Sequence, residues 1–281
     1  MKLALAQLEI AGGKPETNRD RAVDAIERAA SQHCDLVCLP ELFTVGYFEF
    51  DSYSRAAEPL DGETISRLQA VARKQEIAIL AGSIVEDLSA STAHGFETPA
   101  SEGYANTAVY LDAEGKRRAV YRKNHLFGYG SAEEDLLTAG ETLGIVDDLG
   151  FTIGITTCYD LRFPELYRAL VDSGVTLTLV PSAWPYPRVE HWQLLPRVRA
   201  IENLMYVGAT NGVGQFEENS LVGRTTLYDP WGTPVASAGE GAGIVTVAVD
   251  PDIVARRREE FPALADRRSP ATLATEEGRE F

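Results

Sequence analysis

Two hydrophobic periods alternate along this chain, and that alternation narrows the fold more than any other feature. Short apolar, β-rich runs are separated by longer stretches with helical spacing, the pattern of an α/β layer protein. Leu3 to Gln7 is strand-like, and Asn18 to Ala30 follows as an amphipathic helix with Val23, Ile26 and Ala30 on one side. Leu36 to Leu39 reads as a buried strand, Thr64 to Lys74 as a helix and Ile77 to Ile84 as a strand. Ala105 to Leu111 and Arg118 to Arg122 form a strand pair, joined by the turn Asp112-Ala113-Glu114-Gly115. Downstream the order repeats, with strands at Phe151 to Thr156, Val175 to Val180 and Met205 to Thr210. Helices at Phe163 to Val171 and Val189 to Asn203 lie between them. Strands near Arg224 to Tyr228, Pro234 to Ala238 and Ile244 to Val249 complete the pattern.

Ser89 to Gly103 is rich in Ser, Thr, Glu and Gly and reads as an exposed loop. Residues 1–265 are expected to form one domain and 266–281 a C-terminal tail, flexible or at a subunit interface. A formal charge of −16 disfavours a nucleic-acid partner or an anionic membrane surface, because both begin with basic residues meeting phosphates. The acidic excess reads as a solvated, self-repelling coat. No stretch approaches the ~18 apolar residues of a membrane span. The three cysteines, Cys34, Cys38 and Cys158, do not make a disulfide framework, so a reducing cytoplasm is the expected location.

Three buried strands end abruptly in a reactive side chain. Leu36-Val37-Cys38-Leu39-Pro40 delivers Glu41, a strand ending in Arg122 delivers Lys123, and Ile153-Gly154-Ile155-Thr156-Thr157 delivers Cys158. Active sites of α/β sheets lie beyond strand ends, so their convergence points to chemistry. Taken singly, each has a plain structural reading: a core thiol, a helix N-terminal charge, a solvated lysine. Cys34 and Cys38 keep the core reading, since their spacing is one residue too long for Cys-x-x-Cys. Gly12-Gly13 and Gly212-Val213-Gly214 complete no phosphate-binding loop and read as turns. His125 and His191 read as satisfying internal hydrogen bonds, and Trp184, Tyr186 and Trp192 as pocket-lining or core aromatics.

Order and spacing change the weight of these signals. Leu39-Pro40-Glu41-Leu42-Phe43, Tyr121-Arg122-Lys123-Asn124-His125-Leu126-Phe127 and Cys158-Tyr159-Asp160-Leu161-Arg162-Phe163-Pro164-Glu165-Leu166 resemble the Glu, Lys and Cys motifs of the nitrilase (carbon–nitrogen hydrolase) superfamily, in the same order. Further matches at Pro181-Ser182-Ala183, His191-Trp192, Arg199 to Asn203 and Asp229-Pro230-Trp231-Gly232 extend the resemblance over about residues 1–260. It implies a four-layer αββα sandwich that dimerises, or forms a higher homo-oligomer. It also implies Cys158 as nucleophile, Glu41 as base, and Lys123 with the backbone N–H of Tyr159 as oxyanion donors.

A second acid of the family falls on Glu133, ahead of the turn Leu137-Thr138-Ala139-Gly140, with Glu134 beside it as the competing register. Trp184 is carried over as a substrate contact. The implied reaction is hydrolysis of a small aliphatic or omega-amide to the acid and ammonia through a thioester, needing no metal, nucleotide or flavin. A thiol of pKa ~8.5 is mostly protonated at neutral pH, so a nearby base or cation has to activate it. The Cys158 motif is closer to the amidase and omega-amidase branches than to typical nitrilases, whose cysteine is followed by Trp-Glu. The loop Trp184-Pro185-Tyr186-Pro187-Arg188-Val189-Glu190 departs from those relatives, and Pro196 interrupts the helical pattern after it. The rival readings are a nitrilase acting on nitriles, and a non-catalytic binding protein on the same fold.

Overall fold

The computed structural model describes residues 1–268, so the expected tail lies outside the described residues from 269 onward. In chain order the first half holds β1 (Lys2–Gln7), α1 (Pro15–Ser31), β2 (Leu36–Cys38), α2 (Tyr53–Ala56), α3 (Glu63–Gln75), β3 (Ala78–Leu80), β4 (Ile84–Asp87), α4 (Leu88–Ala93), β5 (Tyr104–Leu111) and β6 (Arg117–Arg122). The second half holds α5 (Glu133–Leu136), β7 (Gly144–Asp148), β8 (Phe151–Ile155), α6 (Pro164–Asp172), β9 (Leu177–Ser182), α7 (Val189–Asn203) and β10 (Tyr206–Asn211). A small hairpin follows, β11 (Gln215–Phe216) with β12 (Asn219–Ser220), then β13 (Thr226–Tyr228), β14 (Pro234–Ser237), β15 (Gly243–Ala248) and α8 (Pro251–Glu260).

One sheet runs β15-β1-β2-β3-β5-β4 with β6 on β5, and the other runs β14-β13-β10-β9-β8-β7. Strand parity assigns the layers. Leu3 and Leu5 of β1 meet Ile153, Ile155, Leu177 and Leu179 of β8 and β9 in the core between the sheets. Ala4 and Ala6, one step out of phase, face Ala22, Ile26, Ile65 and Leu68 of α1 and α3. Val180, Val207 and Ala209 face Leu166, Tyr167, Trp192 and Ala200 of α6 and α7. The result is the αββα sandwich. Strands buried on both faces carry no polar alternation, which is why they read as apolar runs in the sequence.

Three local expectations change. Ile77 to Ile84 is two strands, because the chain turns at Gly82, whose φ is +43°. The stretch Ser89 to Gly103 contains most of α4, whose start is capped where the Asp87 carboxylate accepts from Ala90 N at 2.9 Å. α7 runs without a break through Pro196, which is buried with Trp192 and Arg199. β7 and α8 are elements that the periodic pattern did not single out. Among the described residues no helix is long and apolar enough to cross a membrane.

Candidate active site

Each reactive side chain arrives by a locally enforced turn. β2 keeps pairing one residue past its end, with Leu39 N donating to Leu80 O at 3.0 Å, and Pro40 then supplies no N–H to continue the ladder. The chain reverses against Gly82, where a Cβ would sit 1.9 Å from Pro40 O. Leu42 N donates to Ser83 Oγ at 2.8 Å and fixes the turn that holds Glu41. Lys123 follows β6 and is registered across from Asn106 of β5, its N–H donating to Asn106 O at 2.9 Å.

Cys158 opens a 3₁₀ turn, Cys158–Arg162, with a φ of +47°, a strained conformation for a residue with a Cβ. Asp160 holds that turn. Its Oδ2 accepts from Thr157 N at 2.8 Å and Tyr121 Oη at 2.6 Å, while its Oδ1 meets His125 N at 3.1 Å and His125 Nδ1 at 2.7 Å. The Cys158 turn is thereby tied to the same stretch that carries Lys123.

The three expected groups meet where these strand ends converge. The Lys123 ammonium donates to Glu41 Oε1 at 2.9 Å and to both oxygens of Glu133 at 2.8 and 2.9 Å, and all three side chains are fully buried. Its three N–H donors are therefore all engaged. Glu133 also accepts from Tyr47 Oη at 3.1 Å, Phe127 N at 2.8 Å and Asn106 Nδ2 at 3.0 Å, whereas Glu134 is exposed. Glu41 Oε2 accepts from Ala183 N at 2.8 Å. The Cys158 thiol sits beside Glu41 and the Ala183 backbone, and both act on its ionisation.

Two carboxylates against one ammonium leave the cluster net negative, and burial amplifies the effect. Burial, then the Glu41 charge, holds the Cys158 thiol well above its ordinary range, with Lys123 opposing. Burial also raises the Glu41 carboxyl; Lys123 pulls against that rise and Glu133 adds to it. Burial works against the charged form of Lys123, yet Glu133 and Glu41 outweigh it and lift its pKa well above normal. The thiol therefore rests neutral beside Glu41. The cation does not make a resting thiolate. Cys38, by contrast, is buried without a charged partner, its thiol pushed up by burial to about 12, and Cys34 is buried in the core.

Cys158 and Lys123 lie at a cavity of about 100 Å³ whose wall includes Tyr47, Tyr159 and Trp184. Trp184 is held from both ends, its backbone N donating to Asn211 Oδ1 at 2.8 Å and its Nε1 to Arg188 O at 2.9 Å. Trp192 packs behind it with ring centroids 5.7 Å apart and does not reach the cavity, while Tyr186 is exposed. Glu133 does not line the cavity either; it lies behind Lys123.

Two guanidiniums, Arg162 and Arg188, line the cavity as well, and neither makes an ion pair among the described residues. Arg162 lies over the Trp184 ring at 5.1 Å and contacts His191 Nδ1 at 3.1 Å, and Arg188 lies over the Phe127 ring at 5.4 Å. The sequence reading missed Asn106, Ala183, Tyr47 and both arginines. A polar Asn106 inside the apolar run of β5 was a visible signal; Ala183 lay within the matched segment Pro181-Ser182-Ala183, but its contact is made through the backbone, which residue type does not reveal.

Comparison with known proteins agrees with this geometry. Residues 2–259 match the carbon-nitrogen hydrolase family. The chain is 36% identical over 239 residues to the 2-oxoglutaramate amidase of Paenarthrobacter nicotinovorans, covering 84% of this chain and 79% of the relative. Among solved structures it resembles Saccharomyces cerevisiae Nit3, a member of branch 10 of the nitrilase superfamily, with a TM-score of 0.82 and 31% identity over 93% of this chain and 94% of that one. It also resembles a mutant of the amidase from Nesterenkonia sp. AN1 with acrylamide added at its active-site cysteine. There the TM-score is 0.78 and the identity 29%, over 94% of this chain and 99% of that one. A match over nearly the whole described chain, joined to a buried Glu, Lys and Cys at converging strand ends, places this protein in the carbon–nitrogen hydrolase family.

Proposed function

We propose that the chain is an amidase that hydrolyses small omega-amides, carboxamides bearing a distal carboxylate, to the carboxylic acid and ammonia. One observation carries the reading: a buried thiol beside a buried carboxyl group opens onto a small cavity lined by two guanidiniums that make no ion pair among the described residues. Glu41 takes the thiol proton as the Cys158 sulfur attacks the amide carbon, so no free thiolate has to persist in a negative site. Once protonated, Glu41 pulls less on Lys123, and one ammonium N–H can turn to the oxyanion beside the backbone N–H of Tyr159. The proton on Glu41 then passes to the departing ammonia, and the same carboxylate activates water against the thioester.

Glu133, saturated with donors and behind Lys123, holds the ammonium in place instead of touching the substrate. Arg162 and Arg188 supply the bidentate donors that a distal carboxylate needs, in keeping with a relative named for 2-oxoglutaramate. Trp184 forms the apolar wall between the two ends.

Ammonia release should be measured across omega-amides, neutral aliphatic amides of equal length and the matching nitriles. The reading predicts kcat/KM at least ~10-fold higher for the carboxylate-bearing amides, the worth of about one charge-assisted hydrogen bond. Equal rates for neutral amides would remove the arginines from recognition, and faster turnover of nitriles would favour the nitrilase alternative. We also propose a homodimer through the exposed apolar side chains Leu194, Ile201, Trp231 and Phe261, which sedimentation can test.

A further inference from the structure

The mechanism above leaves Asn106 without a role, although its bonding is the most unusual in the site. The residue is fully buried on β5, away from the cavity. Its Nδ2 donates to Glu41 Oε1 at 2.9 Å and to Glu133 Oε1 at 3.0 Å. Lys123 Nζ reaches the same two oxygens at 2.9 and 2.8 Å. Two donors and two acceptors therefore close a ring. The other end of the amide, Oδ1, is buried with no hydrogen-bond partner among the described residues. An orphaned acceptor of that kind destabilises a fold by about 1–3 kcal/mol, and an apolar side chain of similar shape would avoid the cost. The amide is therefore held by its donor end, which meets two buried carboxylates.

Counting lone pairs gives it a function. An ionised carboxylate oxygen accepts about two hydrogen bonds. On Glu41, Oε1 is filled by Lys123 and Asn106, whereas Oε2 holds only Ala183 N at 2.8 Å. We propose that Asn106 is a positioning residue that fills Oε1 of Glu41 and so makes Oε2 the atom that takes the proton of Cys158. In that step the S–H bond breaks and its proton goes to Oε2. The electron pair left on sulfur forms the bond to the amide carbon, and the carbonyl π pair moves onto oxygen. Without the Asn106 N–H, Oε1 has an open site facing Glu133 Oε1, and a proton settles between the two carboxylates, where it is lost to catalysis. This inference rests on the roles of Cys158 and Glu41 proposed above.

Asn106→Leu and Asn106→Ala should be prepared together, the first keeping the side-chain volume and the second leaving room for water. In variants whose circular dichroism matches wild type, single-turnover acylation should slow by ~10- to 100-fold, with KM within about threefold because Asn106 does not line the cavity. The acid limb of the acylation rate should move to higher pH, since a proton bridging two carboxylates leaves them at higher pH than one on a donor-filled carboxylate. A folded variant with a wild-type acid limb, or one whose defect is confined to KM, overturns the proposal. Cys158→Ala separates the two levels. If that variant still releases ammonia, the underlying mechanism fails; if it is inactive while the Asn106 variants behave as wild type, only the role of Asn106 fails.

Discussion

Lys123 is fully buried with two carboxylates on its ammonium, so its neighbours respond to substitution in opposite ways. Glu41→Gln leaves one lysine facing one glutamate, a balanced pair, and this variant should fold with stability within ~1 kcal/mol of wild type while losing turnover. Lys123→Ala leaves two uncompensated buried carboxylates and should cost about 3–5 kcal/mol, read as a large drop in thermal midpoint. Glu133→Gln should fold yet lose most activity because the ammonium is no longer gripped at both oxygens. Glu134→Gln, at an exposed position, should stay within ~0.5 kcal/mol and keep its rate. A large loss confined to Glu134→Gln would show that the second acid had been assigned to the wrong residue.

The pH profile follows from the same charges. Glu41 acts as a base only when ionised, and burial raises its pKa. Activity is therefore present above that raised pKa and lost as pH falls through it, so the acid limb of kcat/KM should lie above the ~4.3 of an ordinary glutamate. A limb at or below that value would remove Glu41 from the role of base.

At the scale of elements, the strand ends are built from turns that tolerate little change. Gly82→Ala would drive a Cβ into Pro40 O at 1.9 Å and move the segment that carries Glu41. It should cost at least ~2 kcal/mol by thermal unfolding and lower kcat, and a neutral effect on both would mean the turn relaxes freely. Asp160→Asn sets an amide against donors from Tyr121, Thr157 and His125, so stability and turnover should fall together. How much of this was legible in the sequence differs by element. α7 was expected at Val189 to Asn203 and spans those residues, although Pro196, which the sequence pattern marks as an interruption, lies inside it. Glu41 and Cys158 follow buried runs, whereas the run before Lys123 is only partly buried; all three were legible through the order and spacing of their motifs. β3 and β4 merged in the sequence because the Gly82 turn between them lies within an apolar stretch. Arg162, inside the Cys158 motif, and Arg188, just before α7, were missed because a charged side chain reads as solvated until the fold places it at the cavity.

On the scale of the whole molecule, the sandwich explains why groups so far apart in sequence can cooperate. One sheet supplies Glu41 and Lys123 at the ends of β2 and β6, and the other supplies Cys158 and Ala183 at the ends of β8 and β9. The core between the sheets, with Leu3, Leu5, Ile153 and Leu179 fully buried, fixes their separation. The acidic surface, carrying a formal charge of −16, disfavours anionic ligands at long range, so the proposed omega-amide reading assigns carboxylate recognition to Arg162 and Arg188 at the cavity itself. Arg188→Ala should therefore raise KM for an omega-amide by ~10-fold or more and leave a neutral amide unchanged. The central claim, that Cys158 forms the acyl-enzyme, is tested most directly by rapid-quench mass spectrometry of the protein mixed with an omega-amide. The account predicts an added acyl mass on the peptide containing Cys158, none on those containing Cys34 or Cys38, and none in Cys158→Ala. An acyl group on another residue, or ammonia released at the wild-type rate by Cys158→Ala, would contradict it.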